Sequence, residues 1–148
     1  SGGSPGAEAG TLTLMCGGSA EVYEACKPVF ETFGKLIVLL GAIGAGQNAK
    51  LINNAMLSAN MGAAHAAMAV GRAFDIDPEA LAELVRQSSG RSFGFEVYAR
   101  LPSPAAFATG ARLLLKDINL LKTVLPDHGG AEALRAAAEP FLSATGAK

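Results

Sequence analysis

From Lys50 to Phe74 the chain runs for about 25 residues without a proline, and small residues recur throughout. At 1.5 Å per residue such a run is a helix about 40 Å long. Ala55, Ser58, Ala59, Gly62, Ala63, Ala66, Ala67, Ala69 and Gly71 give it a slim surface. Side chains this small suit close approach by other helices and cover little core from outside. The run therefore predicts a central helix buried among others, and the remaining segments must be arranged around it.

Composition supports this reading. Half of the 148 residues are hydrophobic and 17% are charged, enough apolar material for one folded domain with a core. Net charge is −1 and no basic run occurs, so nucleic acid and anionic membrane are poor candidate partners. No stretch of about 20 apolar residues is free of glycine and polar breaks, and no membrane helix is expected. The N-terminus lacks the basic and apolar regions of a signal peptide. Cys16 and Cys26 have no metal-binding spacing and read as free thiols in a reducing, cytoplasmic setting.

Taken in order, residues 1–10 read on composition alone as a flexible Gly/Ser/Ala linker. Thr11 to Cys16 predicts a short strand, ended by Gly17-Gly18. Ser19 is a candidate N-cap for a helix from Ala20 to Phe33, bent or broken at Pro28 and stopped by Gly34. Val22, Cys26, Val29, Phe30 and Phe33 share one side of it. Lys35 to Leu40 is a second strand, apolar enough for burial on both faces. Strand, helix and strand over about 30 residues make a βαβ-sized unit. Two strands do not make an independent α/β domain, so this unit reads as the tail of a larger sheet.

After the long helix, Asp77 and Pro78 predict the N-cap and first position of a helix from Glu79 to Gln87, with Leu81, Leu84 and Val85 inward. A short aromatic-rich helix around Phe93 to Leu101, a helix from about Ala106 to Leu125 and a last amphipathic helix from Ala131 to Ala144 complete the chain. Inward positions on that last helix are Leu134, Ala138, Phe141 and Leu142. His65, set among alanines, reads as a packing or hydrogen-bonded histidine.

One stretch carries chemistry. Gly44-Ala45-Gly46-Gln47-Asn48-Ala49 formally fits a dinucleotide-binding glycine pattern. Yet no strand follows the helix it opens, and no acidic residue lies about 20 positions on to hold a ribose. These glycines read instead as a hinge between strand and helix. Lys50 and Asn54, one turn apart, share a helix face. The residues alone leave two readings open: a grip on a small polar substrate, or an ordinary solvated helix start. Lys116-Asp117 follows three leucines, which suggests that one of the pair is held near a cleft.

Several ordered motifs together resemble the C-terminal part of a β-hydroxyacid dehydrogenase, of the 3-hydroxyisobutyrate and 6-phosphogluconate dehydrogenase superfamily. Ser1-Gly2-Gly3 and Gly6-Ala7-Glu8-Ala9-Gly10-Thr11-Leu12-Thr13 resemble the substrate-binding SGG segment and the strand after it. Gly44-x-Gly46-x-x-x-Lys50-x-x-Asn53-Asn54 resembles the catalytic motif. Ser89-Gly90-Arg91-Ser92 and Leu115-Lys116-Asp117-Ile118 resemble two further blocks. At three places the sequence departs: an acidic residue near His65-Ala66 and a glycine near Asp75 are absent, and Thr109 stands where an aromatic residue is usual, with Phe107 two residues away.

The resemblance implies a mainly α chain. Residues 1–41 would be the end of a Rossmann domain, a short βαβ remnant, and residues 42–148 an all-α substrate and dimerisation domain with a long central helix. It implies a fragment of an NAD(P)-dependent oxidoreductase that interconverts a small β-hydroxyacid and its semialdehyde. Lys50 would be the general acid/base. Ser1, Gly2, Gly3 and Asn54 would bind substrate, and Lys116 would lie near NAD or NADP. No metal is expected. Relatives associate through this domain, so a homo-oligomer is expected. The alternative is a non-catalytic helical dimerisation module that retains the motifs.

Overall fold

A computed structural model describes residues 1–147. The chain divides into two compact units, Ser1–Ile52 and Asn53–Lys148. The first holds a βαβ unit. Strand β1 (Leu12–Cys16) pairs in parallel with β2 (Gly34–Leu39), and helix α2 (Ala20–Phe30) makes the crossover. Ser19 caps α2 as its sequence predicts, its hydroxyl accepting from the Val22 amide at 3.3 Å. Pro28 stays inside α2, but the helix ends at Phe30, one turn sooner than its apolar pattern suggests. Expectations of burial are only partly met in this unit. Val22 and Val29 are each 61% exposed and Leu36 54% exposed, so β2 is not covered on both faces.

The linker reading of residues 1–10 is corrected by the structure. Helix α1 (Gly3–Glu8) stands there. Six residues rich in glycine do not hold a helix by propensity. The contacts are supplied from outside: Gly6 is buried, its carbonyl accepts from the Thr11 amide at 2.8 Å, and the Thr13 amide donates to the Ser1 carbonyl at 2.9 Å.

Helix α3 (Ala45–Ala73) is the long helix, and it starts five residues earlier than its proline-free run suggests. Gly46 explains the early start. A Cβ there would sit 2.1 Å from the Met15 carbonyl oxygen, so the first turn of α3 lies directly on the end of β1. The glycine pair is a joint, and the space beside Gly46 is filled by backbone.

The second unit is all helical. Its elements are the rest of α3, then α4 (Pro78–Gln87), α5 (Phe93–Tyr98), a 3₁₀ turn (Pro104–Phe107), α6 (Ala108–Val124) and α7 (Gly129–Ala144). Local signals fix several ends. The Asp77 carboxylate accepts from the Ala80 amide at 2.8 Å and the Ser92 hydroxyl from the Phe95 amide at 3.0 Å. At the end of α3, Asp75 takes φ 54°, the Ile76 amide bonds the Gly71 carbonyl and the Asp75 amide the Arg72 carbonyl. That is a Schellman ending, with aspartate in the left-handed position where the resemblance expects glycine.

Small residues set the helix spacing here. A Cβ on Gly62 would reach within 1.8 Å of the Ala137 carbonyl oxygen, which puts α3 against the backbone of α7. Ala64, Met68, Ala82 and Phe95 form one buried cluster, with Leu81, Val85, Tyr98 and Ala99 packed on it. Ala111, Leu114, Ile118 and Leu121 from α6 and Ala138, Phe141 and Leu142 from α7 are buried as well. Phe141 is fully buried, with the rings of Tyr98 at 5.7 Å and Phe107 at 5.8 Å. Phe107 is thus spent on core packing. Leu84, expected inward, is 61% exposed, and Ala82 takes the buried place on α4.

Candidate active site

Five of the six residues singled out for chemistry belong to two groups, one in each unit. In the first unit Ser1, Gly2 and Gly3 lie just ahead of α1, and Lys50 lies in the second turn of α3. The backbone bond from Thr13 to Ser1 ties this segment to the start of β1. Gly2 and Gly3 have φ of 126° and 62°, conformations that a side chain disfavours, so the turn that presents Ser1 needs both glycines. The Lys50 Nζ donates to the Ser1 Oγ at 3.3 Å across 49 residues of chain. An ammonium and a hydroxyl at this separation are two donors that can meet one carbonyl or carboxylate oxygen together.

In the second unit Asn54 is 8% exposed and donates through Nδ2 to the Asp117 Oδ2 at 2.5 Å. The fully buried Ser58 hydroxyl donates to the Asn54 carbonyl at 2.8 Å. The Asn53 amide donates to the Asn54 Oδ1 at 3.4 Å. Asn54 is therefore fixed by its neighbours in one orientation and is no loose surface amide.

Asp117 is the functional candidate that residue-level reasoning identified least well. Its signal is helical position: it follows the buried Leu114 by three residues and precedes the buried Ile118. A carboxylate at the edge of an apolar face needs a partner, and Asn54 provides it. Lys116 does not share this anchoring. Its side chain is 74% exposed and its Nζ stands 3.9 Å from the Asp117 Oδ1, too long for a hydrogen bond. Among the described residues no cluster of three potential metal ligands occurs. No helix is long and apolar enough to cross a membrane.

Comparison with known proteins gives two family matches that meet at the joint. Residues 44–148 match the family described as NAD-binding of NADP-dependent 3-hydroxyisobutyrate dehydrogenase, and residues 1–44 match the NAD binding domain of 6-phosphogluconate dehydrogenase. The chain is 43% identical over 129 residues to an NAD-dependent L-serine dehydrogenase of Pseudomonas aeruginosa, covering 81% of this chain and 43% of that protein. It is 38% identical over 133 residues to the mitochondrial 3-hydroxyisobutyrate dehydrogenase of Drosophila melanogaster, covering 84% of this chain and 41% of that protein. Among solved structures it resembles Mycobacterium tuberculosis 3-hydroxyisobutyrate dehydrogenase with L-serine. The TM-score is 0.80 at 27% identity, over 97% of this chain and 53% of that one. The chain thus spans less than half the length of these two curated relatives.

Proposed function

We propose, because this chain belongs to the β-hydroxyacid dehydrogenase family, that it is the substrate-side part of an NAD(P)-dependent enzyme interconverting a small β-hydroxyacid and its semialdehyde. The observation that carries the reading is the Lys50–Ser1 pair at 3.3 Å. Lys50 gives a proton to the carbonyl oxygen in reduction and takes it from the hydroxyl in oxidation. Ser1, with the backbone of Gly2 and Gly3, holds the substrate carboxylate. Asn54 hydrogen-bonds the substrate, and Asp117 fixes its amide. NAD or NADP, when bound, supplies hydride transfer at the substrate carbon.

The residues in hand fit only part of that cofactor. Backbone fills the space at Gly46, so that glycine offers a pyrophosphate no room, while the space beside Gly44 is open. Lys116, exposed and cationic, suits the cofactor's anionic groups. The meeting of the two family matches at residue 44 supports a division into residues 1–41, the end of the dinucleotide-binding domain, and residues 42–148, the helical domain. Free Cys16 and Cys26 suit a reducing, cytoplasmic setting.

The test is turnover of the full-length parent with NADH and NADPH against small semialdehydes, repeated with Lys50→Ala. Loss of a general acid/base is expected to lower kcat by about a hundred- to ten-thousand-fold. Equal turnover by the variant sinks the assignment. Exposed Leu113, Leu120 and Val124 recur along one side of α6. They favour homo-oligomerisation through the helical domain, and with it a second reading, a non-catalytic dimerisation module. That reading requires an inactive parent whose association survives Lys50→Ala.

A further inference from the structure

The helical unit contains a cavity of about 830 Å³ that the proposed chemistry does not use. Its lining includes His65, Met68 and Arg72 from one face of α3, Glu79 and Ala82 from α4, and Tyr98 from α5. The volume lies in the range of small-molecule sites. Its charges are unevenly committed. Arg86, also in the lining, is shared between Glu83 at 3.5 Å and Glu96 at 3.6 Å. Arg72 and Glu79 have no ion-pair partner within 4.0 Å among the described residues, not even each other.

Deeper in, the His65 Nδ1 is 3.2 Å from the Tyr98 hydroxyl, and the two rings meet edge to face at 5.8 Å. That pairing fixes the His65 ring. No other side-chain hydrogen bond of His65 occurs among the described residues. Buried Met68 and Ala82 give the same wall an apolar part.

We infer that this cavity binds a zwitterionic amino acid with an apolar side chain. Arg72 takes the carboxylate through paired N–H donors, and Glu79 takes the ammonium. The side chain lies on Met68 and Ala82. One cation and one anion, both without protein partners in one cavity, match a ligand that carries one of each. A simple anion meets Arg72 alone and a simple cation Glu79 alone, so a ligand carrying both charges gains both contacts.

The whole 148-residue chain is titrated with L-leucine while the His65 ring resonances are followed by NMR, with His128→Gln identifying the signal. The readout is the His65 ring in the cavity, and the shift is expected to persist in the Lys50→Ala variant, so failure here and failure of the dehydrogenase assignment are separable. 4-Methylpentanoate carries the carboxylate alone and 3-methylbutylamine the ammonium alone. L-Leucine is expected to shift the His65 signals. Each half-ligand, and each of Arg72→Ala and Glu79→Ala, is expected to bind about tenfold more weakly, the worth of one charge-assisted contact. Both substituted residues are exposed, and circular dichroism confirms that the variants are folded. No shift with L-leucine, equal binding of the carboxylate alone, or undiminished binding in either variant overturns the proposal.

Discussion

The two units treat apolar residues very differently. In the helical unit Phe141, Met61 and Ser58 are completely enclosed, and five helices, α3 to α7, contribute buried positions. In the first unit no apolar side chain before Leu51 reaches burial, although β2 reads Leu-Ile-Val-Leu. A parallel strand with this composition belongs in a sheet covered on both faces. The helical unit has a core of its own. The βαβ unit has the sequence of an interior and the exposure of a surface. The first unit's contribution to the proposed site, the Ser1–Lys50 pair, therefore rests on a few close backbone fits around this βαβ unit.

The strongest test of that contrast lies in the helical core. Phe141→Ala removes a fully enclosed ring that touches His65, Tyr98 and Phe107. The expected loss is about 3–5 kcal/mol, read from denaturant unfolding followed by helical circular dichroism. A loss under about 1 kcal/mol would mean that the helical unit is loosely packed and the contrast false. The joint comes next. Gly46→Ala forces a Cβ against the Met15 carbonyl, and the expected cost is about 1–3 kcal/mol, as for overpacking. Lys50 stands on the next turn of α3, four residues after Gly46. In the full-length parent the same variant should lower turnover as well as stability. A stable variant with parental activity would show that the strand–helix contact does not position the lysine.

These fits also explain how much was legible in sequence. The Asp77–Pro78 start of α4, the Ser19 cap and the long helix are local signals, and the structure keeps them. Helix α1 was illegible because its composition opposes it and bonds from Thr11 and Thr13, in the strand segment that follows, tie it down. Asp75 at φ 54° shows the reverse case, an aspartate in a left-handed helix ending that favours glycine. Within the site, residue spacing placed Lys50 and Asn54 on one helix. It could not pair Lys50 with Ser1 or Asn54 with Asp117, because those partners are 49 and 63 residues apart. Only the resemblance linked Ser1 to the lysine, and no residue pattern linked Asn54 to the aspartate.

The smallest expected effect is the most pointed. Val29 lies on α2 and is 61% exposed, although the apolar pattern of that helix assigns it inward. If it is exposed in solution, Val29→Ala loses little contact and gains helix propensity, so stability should move by less than about 0.5 kcal/mol. In the full-length parent, if additional sheet covers this side of α2, the same substitution deletes two buried methyl groups and should cost about 1–2 kcal/mol. The pair of measurements separates a surface valine from one awaiting its cover. A cost above 1 kcal/mol in the short chain that grows with protein concentration would point to a third state, in which copies of the chain cover one another through this helix.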